Sequence, residues 1–294
     1  MTSAKSGKFG LMAWAKAAVA VAGLGSVLLL SACNSDDAID DRLGLSKPSL
    51  RVVHAFPNGP KVDFLANGNS IAAGADYLYT KPYGNIDDVT TTVIANLAGT
   101  TTQVSSSGEF KAATGHKYTY LFVAGTGAAN DGVLIDDPYE KGLFSDKARV
   151  RAFNAAFNTG NVDIYFLKEG QSIDTATPQF AAVGFKKALP ESGKDSYNTD
   201  GGVVRVVVTN AGSKQPIFTS QSVSLTSNAD WLVTVLPKEG IASVLPDQIK
   251  VLIVKTGDTS GVELTPETVI SPTPAPTVIP TLTPTTTPTV TPVP

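Results

Sequence analysis

Apolar and polar residues alternate in short runs along the mature part of the chain, and no stretch sustains a helical period. Runs rich in β-branched and aromatic residues at 50–55, 62–66, 89–95, 118–124 and 133–135 predict strands. Asn58-Gly59-Pro60, Asn67-Gly68, Ser107-Gly108 and Gly125-Thr126-Gly127 lie between them and predict short antiparallel connections. Further runs at 203–209, 231–236 and 249–255 repeat the pattern. Strands of this length with alternating faces predict sheets packed face to face.

The pattern also repeats in its letters. Leu50 to Phe64 aligns with Val150 to Ile164 at an offset of 100, with Arg51/Arg151, Ala55/Ala155, Asn58/Asn158, Val62/Val162 and Asp63/Asp163 in register. Later, Val93 to Gly99 corresponds to Val207 to Gly212, and Lys117 to Val123 to Asp230 to Leu236. Three collinear matches imply duplication with loop insertions. The prediction is all-β: two tandem immunoglobulin-like β-sandwich modules at 49–145 and 147–264.

The first 32 residues differ from this body. Lys5, Lys8 and Lys16 precede an uncharged apolar stretch, and Leu30-Ser31-Ala32-Cys33 follows it. That is the layout of a secretory signal, too short for a permanent membrane helix. The Leu-Ser-Ala-Cys string resembles the lipobox of bacterial lipoproteins. The resemblance implies that Cys33 is the lipid attachment site, that the leader is removed before it, and that the protein is exported and held to a membrane. Asn34, in place of an aspartate after the cysteine, points to the outer membrane in a Gram-negative cell. The alternative is an ordinary cleaved signal that leaves a free thiol.

Residues 33–48, with Asp36, Asp37, Asp40 and Asp41, read as a disordered, solvated, lipidated spacer. At the other end, 265–294 reads as a disordered Pro/Thr-rich tail; from Ser271 it holds eight prolines and no charge. At about 3.1 Å per residue in polyproline II it could extend roughly 75 Å.

Composition narrows function mainly by exclusion. The net charge is −3, and without the three leader lysines it is −6. A mildly acidic body with no basic run is a poor match for nucleic acid. With a single cysteine, no internal disulfide supports the fold.

Arg51-Val52-Val53-His54-Ala55-Phe56-Pro57-Asn58-Gly59-Pro60-Lys61-Val62-Asp63-Phe64 resembles the start of the domain-of-unknown-function family 4397. The resemblance implies tandem β-sandwiches on exported bacterial proteins and confers no chemistry. The second module departs from it at Asn154, Phe157 and Gly160, which stand where His54, Pro57 and Pro60 do.

Candidate chemistry is sparse. His54 could act as base or ligand, but its counterpart is Asn154 and a structural, hydrogen-bonded role is favoured; His116 reads as solvated. Asp63 and Asp163 could pair with Arg51 and Arg151, cap a turn, or serve as ligand carboxylates. Gly125 to Asn130 falls short of a dinucleotide fingerprint and reads as a turn. Ser196 to Gly201 resembles the first half of a calcium loop, but Val207 stands where a bidentate Glu belongs. No catalytic nucleophile with an adjacent base, no transition-metal ligand set and no cofactor site is predicted.

The favoured expectation is a noncatalytic envelope lipoprotein that binds a polysaccharide, protein or surface. The alternatives are an envelope hydrolase with its site between the modules and a structural subunit of an envelope assembly.

Overall fold

The computed structural model describes residues 39–267. The leader, Cys33 and almost all of the Pro/Thr tail lie outside them.

The first module comprises β1 (Ser49–His54), β2 (Val62–Ala66), β3 (Asn69–Ala75), β4 (Gly84–Asn85), β5 (Thr90–Leu97), β6 (Gln103–Lys111), β7 (Lys117–Ala124) and β8 (Asn130–Asp137). Two sheets result, ordered β4-β1-β7-β8 and β3-β2-β5-β6. The second module comprises β9 (Ala148–Asn154), β10 (Val162–Leu167), β11 (Phe180–Val183), β12 (Lys187–Leu189), β13 (Tyr197–Thr199), β14 (Gly202–Asn210), β15 (Pro216–Leu225), β16 (Asp230–Pro237), β17 (Ile249–Lys255) and β18 (Val262–Glu263). Its sheets are ordered β12-β9-β16-β17-β18, with β13 also on β9, and β11-β10-β14-β15. The chain is therefore all-β, with four sheets in two sandwiches.

The repeat extends to register. The first strand of each module pairs in parallel with a late one: Leu50 faces Tyr118 in one, and Val150 faces Trp231 in the other. These parallel pairs are not the antiparallel neighbours that the turn signals predict, and they join the beginning of each module to its end. Ser107-Gly108 is likewise not a turn between strands. It is a bulge inside β6, where Gly108 has φ +68° and the Val93 amide donates to Ser107 Oγ at 2.9 Å. The second module has the same bulge, with the Val206 amide donating to Ser220 Oγ at 2.8 Å. This register places Asn96 opposite Asp63 and Thr209 opposite Asp163. The letter match of Asn96 with Asn210 is thus one residue out.

The sandwiches do not hang separately on a linker. Leu50, Val52, Phe64, Val93, Tyr120 and Phe122 fill the first core, and Val150, Ile164, Val206, Phe218, Val233 and Val251 fill the second. A third cluster lies between them: Val53, Leu121, Val123 and Ile135 from one sandwich against Phe153, Leu232, Leu236, Leu252 and Val254 from the other. Because side chains alternate across a strand, Val52 enters its own core while Val53 enters the seam. The central strands of the inner sheets are thus buried on both faces, which explains why β7 and β16 are buried at every position.

The second half of the predicted spacer departs from the solvated reading. Ile39–Arg42 forms a short helix, α1, and Arg42 donates to the carbonyls of Leu143 (2.8 Å) and Ser145 (2.9 Å) and to Asn228 Oδ1 (2.7 Å). Asp41 lies 3.3 Å from the buried Lys117 ammonium. These contacts bind the segment to the body, because the body's own cations face its carboxylates.

Truncating a seam residue should act as truncation in a core does. Leu121→Ala is expected to lower stability by about 2–5 kcal/mol in denaturant unfolding, while Val89→Ala, at a half-exposed site, should change it by less than about 0.5 kcal/mol.

Candidate functional site

The residues that recur in both modules have matching structural roles. Asp63 accepts from the amides of Gly74 (2.6 Å) and Gly99 (2.8 Å), and Asp163 from those of Ala182 (2.7 Å) and Gly212 (2.8 Å). All four donors have positive φ. Each carboxylate therefore ties two left-handed turns to the start of its strand, the capping role among those the sequence left open. The two amide hydrogen bonds, Gly74 first, hold the Asp63 pKa below the usual carboxylate value.

Neither aspartate has an arginine partner. Arg51 donates from Nε to Thr119 Oγ1 at 2.9 Å and lies over the Tyr83 ring. Arg151 donates to the carbonyls of Pro190, Glu191 and Lys194 and so shapes the loop that precedes β13.

His54 is fully buried, with Nε2 2.9 Å from the Pro60 carbonyl and its ring edge-on to Phe122. A carbonyl can only accept, so Nε2 carries the hydrogen, and burial lowers the ring's pKa toward the neutral form. Asn154 makes the matching bond, from Nδ2 to the Gly160 carbonyl at 3.3 Å. Histidine and asparagine thus both brace the turn after the first strand. His116 is partly buried rather than solvated, with Nδ1 2.7 Å from Asp136 Oδ1.

The calcium-like stretch is used otherwise. Tyr197–Thr199 pairs on β9, Ser196 Oγ donates to Asp137 Oδ2 at 2.7 Å, and Asp200 pairs with Lys147. Gly125 to Ala129 closes the turn between β7 and β8 through a 2.6 Å backbone bond. Cys33 lies outside the described residues.

An open groove of about 820 Å³ lies between the sandwiches. Val133, Leu134 and Ile135 of the edge strand β8 form one wall, and Ala182, the run from Gly184 to Leu189, Glu191 and Ser192 form the other. The groove is bracketed by two ties between the modules. At one end Lys186 pairs with Asp131, and at the other the Asp136 amide donates to Ser192 Oγ at 2.9 Å. Ala182 and Lys186 have φ of +54° and +56°, conformations that L residues seldom hold. Where Ala182 stands, the first module has Gly74, so the strained wall belongs to the second copy alone. Polar groups on the lining come from Asn161, Lys186, Lys187, Glu191 and Ser192, with the half-buried Phe185 ring beside them. The sequence carried no motif for this site, since its walls come from residues some 50 apart and from a segment read as loop.

Beyond the groove's Ser192 end lies a buried ionic network. Arg149, 1% exposed at its side chain, donates from Nη1 to Asp230 (2.9 Å) and from Nη2 to Asp137 (2.7 Å) and Asp195. Asp137 belongs to the first sandwich and the others to the second. Tyr139 receives Lys117 Nζ at 3.5 Å and Arg149 Cζ at 4.1 Å from its ring centroid. Burial alone would raise the Asp137 pKa, but the charges of Arg149 and Arg151, with bonds from Ser196 and the Tyr139 amide, outweigh it and leave the value lowered.

A carboxylate held below its unfolded pKa of about 3.9 adds stability that is complete above that pH and is lost as pH falls through the folded value. Asp137→Asn is therefore expected to lower stability at neutral pH by about 3–5 kcal/mol, since it strands buried cationic charge. Its acid unfolding curve below about pH 4 should be flatter than that of the native protein. Asp163→Ala should lower stability by about 1.5–3 kcal/mol through the loss of hydrogen bonds to a charged acceptor. Chemical denaturation across pH checks both.

Residues 48–165 match the model of a family described as Domain of unknown function (DUF4397). The match takes in the whole first sandwich, β9 and most of β10. No curated protein matches the chain. Among solved structures, it is similar to CBMbc (family CBM26) from Eubacterium rectale Amy13K in complex with maltoheptaose, at 14% identity over 73% of this chain and 95% of that one, with a TM-score of 0.21. It is also similar to a candidate cell adhesion protein from Bacteroides eggerthii DSM 20697, at 10% identity over 72% and 96% of the two chains, with a TM-score of 0.17. Scores this low carry no argument about fold or ligand. Over residues 48–165 the chain carries a DUF4397 domain.

Proposed function

We propose that this protein is a noncatalytic binding protein of the bacterial envelope, held to the outer membrane by acyl chains on Cys33, with an extended polar ligand such as a polysaccharide in the groove between its sandwiches. The observation that carries the reading is the groove itself, open to solvent, walled by both modules and lined by hydrogen-bonding side chains with one aromatic ring among them. Lys187 and Glu191 are exposed at its surface, available to hydroxyl and carboxylate groups of a sugar chain.

The hydrolase alternative has less support. A glycosidase needs two carboxylates flanking one bond, whereas Glu191 is the one carboxylate on the groove's lining, and the nearby Asp131 is engaged by Lys186. His54 lies in the other direction, against the Pro60 turn. We also infer that the second sandwich is a diverged copy of the first, of the same family. The shared parallel register, the Ser107 and Ser220 bulges and the Asp63 and Asp163 ties support that reading.

The test is binding of the mature protein, as its Cys33→Ser form, to immobilised envelope polysaccharides. At least one is expected to bind, with affinity reduced at least about tenfold by Ser192→Trp, which obstructs the groove, and with the polymer recovered intact. Binding indifferent to Ser192→Trp would refute the groove as the site, and shortened polymer chains would favour the hydrolase.

A further inference from the structure

We propose that the end of the molecule where residues 39–45 meet residues 142–145 lies flat against the lipid bilayer, with Phe144 and its leucine neighbours inserted among the headgroups. The inference rests on the reading of Cys33 as the acylated residue, and goes beyond it by fixing which face meets the membrane.

The strands define two ends. β1, β7, β9 and β16 all begin at the ionic network, where Lys117 approaches Asp230 to 3.7 Å, and all finish at the opposite end, where Phe56, Ala124, Phe157 and Pro237 line one small cavity. The chain enters at the network end, through α1. Arg42 there grips the carbonyls of Leu143 and Ser145, so the entering segment and the 142–145 loop form one surface.

That surface is apolar where it faces water. Phe144 is 94% exposed, and Leu43, Leu45 and Leu143 are 51%, 67% and 41% exposed. A fully exposed phenylalanine beside three exposed leucines has the composition of an interfacial anchor. The tether supplies the occupant. Cys33 is six residues before Ile39, a span of at most about 20 Å even when fully extended, so acyl chains on Cys33 would hold this end within reach of the headgroups. The charges flanking the patch cancel, with Asp40, Asp41, Glu140 and Asp146 against Arg42, Lys47, Lys141 and Lys147, and Asp36 and Asp37 in the tether add negative charge, so a zwitterionic bilayer is the matching surface. The opposite end, with Ile241 83% exposed in the turn after β16, would then face away from the membrane.

The experiment uses the acylated mature protein in phosphatidylcholine vesicles carrying brominated acyl chains, with Phe144→Trp compared with Ile241→Trp. Trp231 contributes equally to both. Quenching of the introduced tryptophan by more than about twofold at position 144, with little at 241, is expected. If the protein floats with the vesicles and position 144 is quenched no more than 241, the proposed orientation is wrong while the lipid anchor stands. If the protein does not float at all, the anchor reading fails, and the orientation fails with it.

Discussion

Everything in this molecule depends on two sheets whose central strands have no water-facing side. The sheets built on β1 and β7 and on β9 and β16 each give one set of side chains to their own sandwich and the alternate set to the other. Opening the seam would expose Val53, Leu121, Phe153, Leu232 and Leu252 at once, each a side chain whose burial is worth about 1.5–3 kcal/mol. The ionic network sits at one end of this apolar contact rather than in the middle of it. Charge pairs of this kind add little net stability but penalise any arrangement that leaves one unmatched, so they fix how the sandwiches dock more than how strongly.

The two copies show which features a backbone enforces and which it leaves free. Asp63 and Asp163, the serine-filled bulges and the parallel pairing are retained because each satisfies amides that no other group reaches. His54 and Asn154 differ in type but fill one role, since a ring N–H in one copy and an amide N–H in the other reach corresponding carbonyls, those of Pro60 and Gly160. Divergence is concentrated between β10 and β14, where the second copy carries the longer segment. That segment forms the groove wall, holds Ala182 where the first copy has glycine, and reaches across to Asp131 and Asp136. The two sandwiches thus share a pair of inner sheets, and an unequal loop forms the cavity.

The inner strands were legible in the sequence because burial on both faces leaves runs dominated by apolar and aromatic residues, as in Lys117–Ala124 and Asp230–Pro237. The outer strands were harder. Gln103–Lys111 and Pro216–Leu225 present one face to water and contain many serines, so neither was predicted as a strand, unlike the outer strands at 62–66, 89–95 and 203–209. Repeated letters located Asp63 and Asp163 but not their partners, because Gly74, Gly99, Ala182 and Gly212 come together only through sheet pairing. The groove was not legible at all, since it arises from one module docking on another. Nor was the docking of Asp41 and Arg42, whose partners lie far along the chain.

Differential scanning calorimetry of residues 39–267 tests the shared seam most directly. If the sandwiches are one cooperative body, the protein melts in a single transition whose van't Hoff and calorimetric enthalpies agree. Two resolved transitions, each with the enthalpy of a domain of about 100 residues, would contradict the account and show that each sandwich folds without the other.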